Sequence, residues 1–445
     1  MRLADALRIN PGDVVAFVGA GGKTSAIRKL TSELSEQIPT LVTTTTKLGS
    51  DQSDLAQEHL ILKASLGDES IHEHLQRHNS LLVTGESDPE ESKWLGLEVE
   101  EVHELVKFTK AEGVVLLVEA DGARGKSLKV PKEYEPVLPE LCDLVVPIVG
   151  LDVLGERLPS PLVHRHKLVR QHLALEDGEQ ISIEHVIRIL NSQQGGLKGV
   201  PSSSKIRVLL NKADTERDIK NGREIAEALI KNPAIQSVLL ASTFGDMPVH
   251  ESFCRVAGVI LAAGKSSRFG GIKQYLHVRG KPMLLHAVDA AMDAGLAPII
   301  VVTGEVPEEI GMVFDGLPIQ VVKNPQPEKG QSSSLRLGLE SIHGQAEAVV
   351  YFLADMPLVS SELVRTLVWK HRRSMAPVIV PIHEGRKGNP VLFDQVTYDD
   401  LMRTKGDRGG RALFESYPLE LVEWDDSIHF DVDSEEDLSK LKGLE

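Results

Sequence analysis

The chain has 445 residues, 65 of them acidic and 49 basic, for a formal charge of −16, with 41% hydrophobic and 26% charged residues. At roughly 150 residues per domain, this length predicts two or three domains with their own cores and excludes a small scaffold stapled by disulfides or metal. The negative charge, with no concentrated basic stripe to offset it, argues against a nucleic-acid partner.

The opening MRLADALRINPGDVVAFVG lacks the basic cluster, apolar stretch and cleavage site of a signal peptide, and nothing reaches the ~20 apolar residues of a membrane span. Cys142 and Cys254 stand far apart without a CxxC pairing, so a reducing cytoplasm is expected. VVAFVG (14–19) reads as a buried strand feeding glycines and then a helix from about Lys23. TLVTTTT (40–46) is β-branched and strand-like. A polar helical region follows; its His59, His72, His74 and His78 lack a structural metal pattern and read as a solvated face. LLVTG (81–85), GVVLLVEADG (113–122), DLVVPIVG (143–150), KIRVLLNKAD (205–214) and SVLLAS (237–242) are further strand candidates separated by helical segments, including one around 161–193. Near-continuous apolar strands alternating with helices predict a mainly parallel sheet covered on both faces.

Residues 243–256 break this rhythm, which places a domain boundary near 248–255 and expected domains at 1–247 and 256–445. The second begins with the strand VAGVILAAG. It continues through helix 282–294, strands 298–304 and 319–324, helix 332–342, strand AVVYFLADMP (348–357) and helix 360–372. Two strands around a turn follow in 376–393.

In the first domain, GAGGKTS (19–25) lies between strand and helix. There Gly19, Gly21 and Gly22 offer backbone N–H groups to a phosphate, Lys23 a mobile cation and Thr24 a magnesium contact. The full Walker spacing would need glycine at Phe17, so the match is partial. EADG ends a strand, which makes Glu119 and Asp121 candidates for a metal or its water shell. In NKAD, Asn211 and Asp214 are spaced to read a guanine edge while the Lys212 stem covers the base; four residues also recur by chance. TTTTK brings Lys47 toward the same edge. Together, GAGGKTS, TTTTK, VEADGARGKSLKVP and NKAD resemble the YqeC-like accessory family of selenium-dependent molybdenum hydroxylases. The resemblance implies a P-loop-like nucleotide-binding domain, for GTP or ATP, with a role in maturing a molybdenum enzyme. Arg124, Lys126 and Lys129 either extend its anionic site or solubilise a loop.

In the second domain, LAAGKSSRFGGIKQ (261–274) delivers Leu261, Ala262, Ala263 and Gly264 to a close approach with base and triphosphate, and Arg268 and Lys273 supply two cations for a departing pyrophosphate. Asp355, in LADMP, ends a strand where magnesium would bridge substrate phosphates. Gly330 with Ser332, Ser333 and Ser334 opens a helix toward base or ribose. GRKGNP and GDRGGR present Asn389, Arg408 and Arg411 to a second, anionic substrate. In FDVDSEED, Asp433 is either a metal or substrate ligand or part of a helix cap. These segments resemble molybdenum-cofactor cytidylyltransferases of the MobA-like nucleotidyltransferase family, which implies a Rossmann-like α/β/α domain. The implied roles are triphosphate binding at Arg268 and Lys273 and Mg2+ at Asp355. Ala263 replaces a glycine of the guanylyl pattern and favours CTP.

The chain is thus expected to be α/β, with two α/β/α domains. The expected reaction transfers a cytidylyl group from CTP to the molybdopterin cofactor, for a molybdenum hydroxylase apo-enzyme or its maturation factors, without nucleic acid or membrane. The alternatives are nucleotidyl transfer to another phosphorylated small molecule and a non-catalytic cofactor chaperone.

Overall fold

The computed structural model describes residues 1–62, 68–88, 90–264, 273–304 and 312–442. Arg268, expected to bind triphosphate, lies outside them. The chain divides into compact units Met1–Phe253 and Cys254–Glu445. Among the described residues no helix is long and apolar enough to cross a membrane.

The first unit is built on a sheet with nine strands among the described residues. In spatial order they are Val249–Cys254, Ser237–Ala241, Lys205–Asn211, Leu144–Gly150, Val14–Gly19, Val115–Glu119, Thr40–Thr44, Ser80–Thr84 and Glu58–Ile61. From Ser237–Ala241 to Glu58–Ile61 all neighbours are parallel. The reason is in the residues: Val14 to Phe17 and Val115 to Val118 are wholly buried, as strands covered on both faces must be. Val14, Ala16 and Val18 pack with Val102 and Leu105 of the helix Val99–Glu112. Farther along the sheet, Val208, Leu210, Val238 and Leu240 pack against Ile225 and Leu229 of the helix Glu216–Leu229. That helix starts at a reciprocal cap between Thr215 and Asp218. Two strands depart from the expected pattern. Glu58–Ile61 carries His59 on the sheet edge, where a helix was expected, and Val249–Cys254 forms the opposite edge, where the sequence reads as an interruption. The expected helix around 161–193 is a short strand, Val163–His164, followed by two helices, His166–Leu173 and Ile183–Leu190.

The second unit orders its strands Gln320–Lys323, Ile299–Thr303, Val256–Ala262, Ala348–Leu353, Val391–Asp394 and Val378–His383, with Arg386–Lys387 and Leu419–Glu423 both paired to the last. The first four are parallel, and Val391–Asp394 is antiparallel to both of its neighbours. Along Val256–Ala262 alternate residues enter different cores. Ile260 and Ala262 meet the helices Met283–Asp293 and Ser361–Ser374, whereas Ala257 and Val259 meet Gln331–Ser341. Gly338 permits the last contact, because a Cβ there would sit 2.4 Å from Val259 Cγ1. Both units are therefore sheets with helices on each face.

Candidate functional site

In the second unit the parallel strands end on one edge, which is where open α/β sheets bind ligands. The strand Val256–Ala262 runs into Ala263 and Gly264, and the Gly264 carbonyl accepts Gln274 Nε2 at 2.9 Å. The neighbouring strand ends at Leu353, and Ala354 N–H donates to Leu261 O at 3.2 Å, which sets Asp355 just beyond the sheet. The Asp355 carbonyl accepts Val432 N–H at 3.0 Å, which brings the C-terminal segment FDVD alongside.

Lys273 occupies the meeting point. Its Nζ lies 2.8 Å from Asp355 Oδ2 and 2.7 Å from Asp433 Oδ1, and also donates to Val432 O at 3.1 Å. Burial opposes the ammonium charge, but the two carboxylates hold the lysine above its ordinary value. Asp431 is pushed up, first by burial and then by Asp433 and Asp355. Among the described residues Lys273 thus stands against three carboxyl groups, an excess of negative charge that fits a further cation.

Two clefts open here. The smaller, about 350 Å³, is lined by Ala263, Gly264, Lys273, Gly330, Ser334 and Asp355. The larger, about 840 Å³, shares Leu261, Gln331, Leu353 and Asp407 with it and takes Asn389, Arg408 and Arg411 into its wall. Ala262 is buried behind the loop. Two expected contacts are corrected. Ser332 is buried and donates to Gly406 O at 2.8 Å, and Ser333 donates to Gly330 O at 2.8 Å, so both hydroxyls are spent on shaping the loops. Ser334 lines the cleft instead, with its Oγ accepting from buried Asn324 Nδ2 at 2.9 Å. Sequence reasoning missed Asn324, which ties Ser333 and Ser334 together, and Asp407, which lines both clefts. It also missed Arg386 and Lys387 in the larger cleft, although GRKGNP and GDRGGR contained all but Asn324.

The first unit gathers its candidates on the equivalent edge, in a different electrostatic state. Gly21 has φ +111°, and a Cβ on it would come within 2.1 Å of Gly150 N, so only glycine fits this packing of loop on strand. Gly19 and Gly22 are also at positive φ, and Gly19 N–H donates to Asp121 Oδ2 at 2.9 Å. Lys23 is not a mobile cation. It is 4% exposed, donates to Gly19 O at 2.7 Å and pairs with Asp121 Oδ1 at 3.0 Å. Burial opposes its charge, and Asp121 with Glu119 more than offsets this.

Asp121 is likewise not the metal ligand expected. It is 1% exposed and matched by two ammonium groups, Lys23 on one oxygen and Lys129 at 3.0 Å on the other. Lys129 also pairs with Glu135, which Arg165 grips through both nitrogens at 2.5 and 2.8 Å. Burial works against the Glu135 carboxylate, yet these partners hold it down at about 2. Thr24 donates to Glu119 Oε2 at 3.2 Å, and burial raises Glu119.

Asn211 is corrected from base reader to tie. It is 1% exposed, its Nδ2 donates to Gly21 O at 2.7 Å and its Oδ1 accepts Thr243 N–H at 3.2 Å. Lys212 reaches Ser127 Oγ and Asp152 Oδ2, each at 2.8 Å, rather than covering a base. Asp214 is exposed and accepts Ser242 Oγ at 2.6 Å. Lys47 turns away to Asp88 and Glu91. Arg124 is exposed; burial first, then the charges of Arg165, Lys129 and Arg124, push His164 down to about 4.

Comparison with known proteins bears on both units. Residues 258–421 match the family described as MobA-like NTP transferase domain, and residues 15–167 match YqeC protein. A protein of Thermococcus sibiricus named "Probable molybdenum cofactor guanylyltransferase" is 29% identical over 205 residues, covering 42% of this chain and 97% of the relative. The Escherichia coli protein YqeC is 26% identical over 250 residues, covering 54% of this chain and 90% of the relative. The crystal structure of Rv0371c from Mycobacterium tuberculosis is 28% identical and covers 42% of this chain and 97% of its own, with a TM-score of 0.38. Together the two matched segments identify the chain as one that carries a YqeC domain at 15–167 and a MobA-like NTP transferase domain at 258–421.

Proposed function

We propose that residues 256–445 transfer a cytidylyl group from CTP to the molybdopterin cofactor, releasing pyrophosphate and forming a cytosine dinucleotide cofactor. The observation that carries this reading is Lys273 held between Asp355 and Asp433 in the wall of the smaller cleft, which shares Leu261, Gln331, Leu353 and Asp407 with the larger one. The smaller cleft suits a nucleoside triphosphate, and the larger suits an acceptor that is both flat and anionic. Its floor includes Tyr351 and Phe393, and its wall carries Arg386, Lys387, Arg408 and Arg411. A terminal phosphate oxygen of the acceptor attacks the α-phosphorus, a new P–O bond forms and the bond to the β-phosphate breaks. The nucleophile is already an anion, so no general base is needed. Asp355 and Asp433 are the residues that would hold Mg2+, which when bound neutralises phosphate charge. Lys273 is placed to follow the charge onto the leaving pyrophosphate.

Ala263, buried and facing the smaller cleft, supports CTP because its methyl narrows the space a purine would need. The printed name of the Thermococcus relative favours the competing reading, guanylyl transfer from GTP. Incubation with molybdopterin cofactor and equal CTP and GTP, with product identification by mass spectrometry, separates the two. A guanine dinucleotide product overturns the cytidylyl reading, and the absence of any dinucleotide overturns transfer altogether, leaving a cofactor chaperone. Residues 1–247 are proposed to bind GTP or ATP over the glycine loop and to act in delivery to a molybdenum hydroxylase or its maturation factors in the cytoplasm.

A further inference from the structure

The helix Gln331–Ser341 serves two places in the second unit. Gln331, Ser334 and Leu335 line the clefts already described, whereas Ser332 and Arg336, one turn apart, line a third cleft on another face of the helix. This cleft measures about 700 Å³ and shares no lining residue with the other two. Its remaining wall comes from Lys329, before the helix, and from the end of the helix Tyr398–Arg403 with the Lys405 and Gly406 that follow it. Four of the lining side chains are cations, Lys329, Arg336, Arg403 and Lys405, and among the described residues no carboxylate lines it. In a chain of formal charge −16 this is a local reversal of sign.

The walls are fixed by short-range contacts. Ser332 donates to Gly406 O at 2.8 Å, Arg336 Nη1 donates to the Thr404 carbonyl, and Gly330 packs so closely on the same loop that a Cβ there would lie 2.7 Å from Gly406 C. The cations themselves are little committed. Lys329 and Lys405 are exposed and, among the described residues, have no ion-pair partner. Arg403 pairs with Asp400 at 2.9 Å, but with side chains 75% and 43% exposed this is a surface pair that solvent readily replaces. Asp407, next along the chain, accepts Gln331 N–H at 3.3 Å and lines the other two clefts instead. Four converging cations repel one another, and an entering anion relieves that repulsion.

We propose that this third cleft is a separate anion site that takes a small oligophosphate, either free or as the phosphate tail of a nucleotide. Arginine forks grip phosphate oxygens in pairs, and lysines add mobile point charges. Met402 is the large apolar side chain of the lining and no aromatic ring joins it, so nothing stacks on a base and phosphate is the recognised group. The Ser332 hydroxyl is already spent on Gly406, which leaves recognition to the four cations. The site does not depend on which nucleotide the transfer reaction uses. Its occupant touches Gly406, the neighbour of Asp407 in the transfer clefts.

Lysine footprinting reads the site residue by residue. The full-length chain, in EDTA, is treated with a limiting amount of an acetylating ester, with and without millimolar inorganic triphosphate, and acetylation is mapped by peptide mass spectrometry. At ten times the dissociation constant, acetylation of Lys329 and Lys405 should slow about tenfold. Lys220, exposed on the helix Glu216–Leu229, should be unaffected. Arg403→Glu, at an exposed position, should raise the triphosphate concentration needed to protect Lys329 by about tenfold. Arg411→Ala, in the larger transfer cleft, should leave that concentration unchanged. Pyrophosphate should protect and orthophosphate should need far more. Triphosphate acting at or below the concentration of ATP assigns a free oligophosphate, and ATP acting below triphosphate assigns the nucleotide tail. No protection at millimolar triphosphate, equal protection of Lys220, or orthophosphate as effective as triphosphate overturns the proposal. So does protection that survives Arg403→Glu or disappears with Arg411→Ala, since the anion then sits elsewhere.

Discussion

Asn211→Ala tests whether this residue is a tie or a base reader. The substitution strips Gly21 O of a donor at 2.7 Å and Thr243 N–H of an acceptor at 3.2 Å, both in buried surroundings. Each orphaned buried group costs about 1–3 kcal/mol, and water entering the vacated space offsets part of this, so the pair predicts a loss of about 3 kcal/mol. That is roughly a hundredfold in local opening. The two units need not unfold together, so a single unfolding curve is the wrong readout. Hydrogen exchange in the native full-length chain, followed in peptides covering 15–30 and 237–250, reads the two tied loops directly. Calorimetry with GTP and ATP supplies the second half of the test. A tie acts on the glycine loop, so both nucleotides should weaken by the same factor. Exchange that changes by less than about 0.5 kcal/mol, or a loss confined to GTP, would refute the structural role and restore guanine reading.

Asp355→Asn keeps the volume and removes one of the two carboxylates on Lys273. Magnesium-dependent pyrophosphate release should fall by about a hundredfold or more with little change in circular dichroism. Asp121→Asn should raise, not lower, the affinity of the first unit for a nucleoside triphosphate, because Lys23 is then released toward the phosphates; weaker, magnesium-sensitive binding would restore Asp121 as a metal ligand. Glu135 has a folded value of about 2 against 4.5 for the free group, so its contribution is present above pH 4.5 and is lost as pH falls toward 2. Urea midpoints of the first unit should therefore drop across that window, and Glu135→Gln should flatten the drop. Ala263→Gly should lower the CTP-over-GTP ratio of kcat/KM by about fivefold, as expected for one methyl, and an unchanged ratio in a folded variant removes the steric account.

Strands such as VVAFVG and AVVYFL were legible because burial on both faces imposes an unbroken apolar run, and the loops after them were legible because glycine and small residues permit close approach. The edge strands escaped for the opposite reason. Glu58–Ile61 is half-buried throughout, and VHESFC carries a glutamate whose burial is made tolerable by Arg223, a partner on a distant helix. Side-chain roles were less legible than positions. NKAD reads as a guanine motif by spacing, yet what occupies the Asn211 amide is the Gly21 carbonyl, far away in the chain. Lys23 and Lys129 read as phosphate-seeking cations, and only the fold shows that Asp121 lies between them.

The two carboxyl edges use similar residues to opposite electrostatic ends. In the first unit Lys23, Lys129 and Arg165 meet Asp121, Glu119 and Glu135 one for one, in a place largely closed to water. A metal ion entering there would have to displace a lysine, and an incoming phosphate would have to draw Lys23 from Asp121, leaving a buried carboxylate short of one partner. In the second unit, among the described residues, Lys273 faces both Asp355 and Asp433, with Asp431 pushed up by burial and then by their charge, and the group opens onto two clefts. Adding a divalent cation there relieves repulsion. Phosphates accompanying it would find Lys273 in the smaller cleft and Arg386, Arg408 and Arg411 in the larger. Charge balance therefore favours metal-dependent phosphate chemistry at the second edge. At the first, any nucleotide must be bound at the expense of an existing ion pair, a cost suited to a site that binds and releases rather than one that turns over.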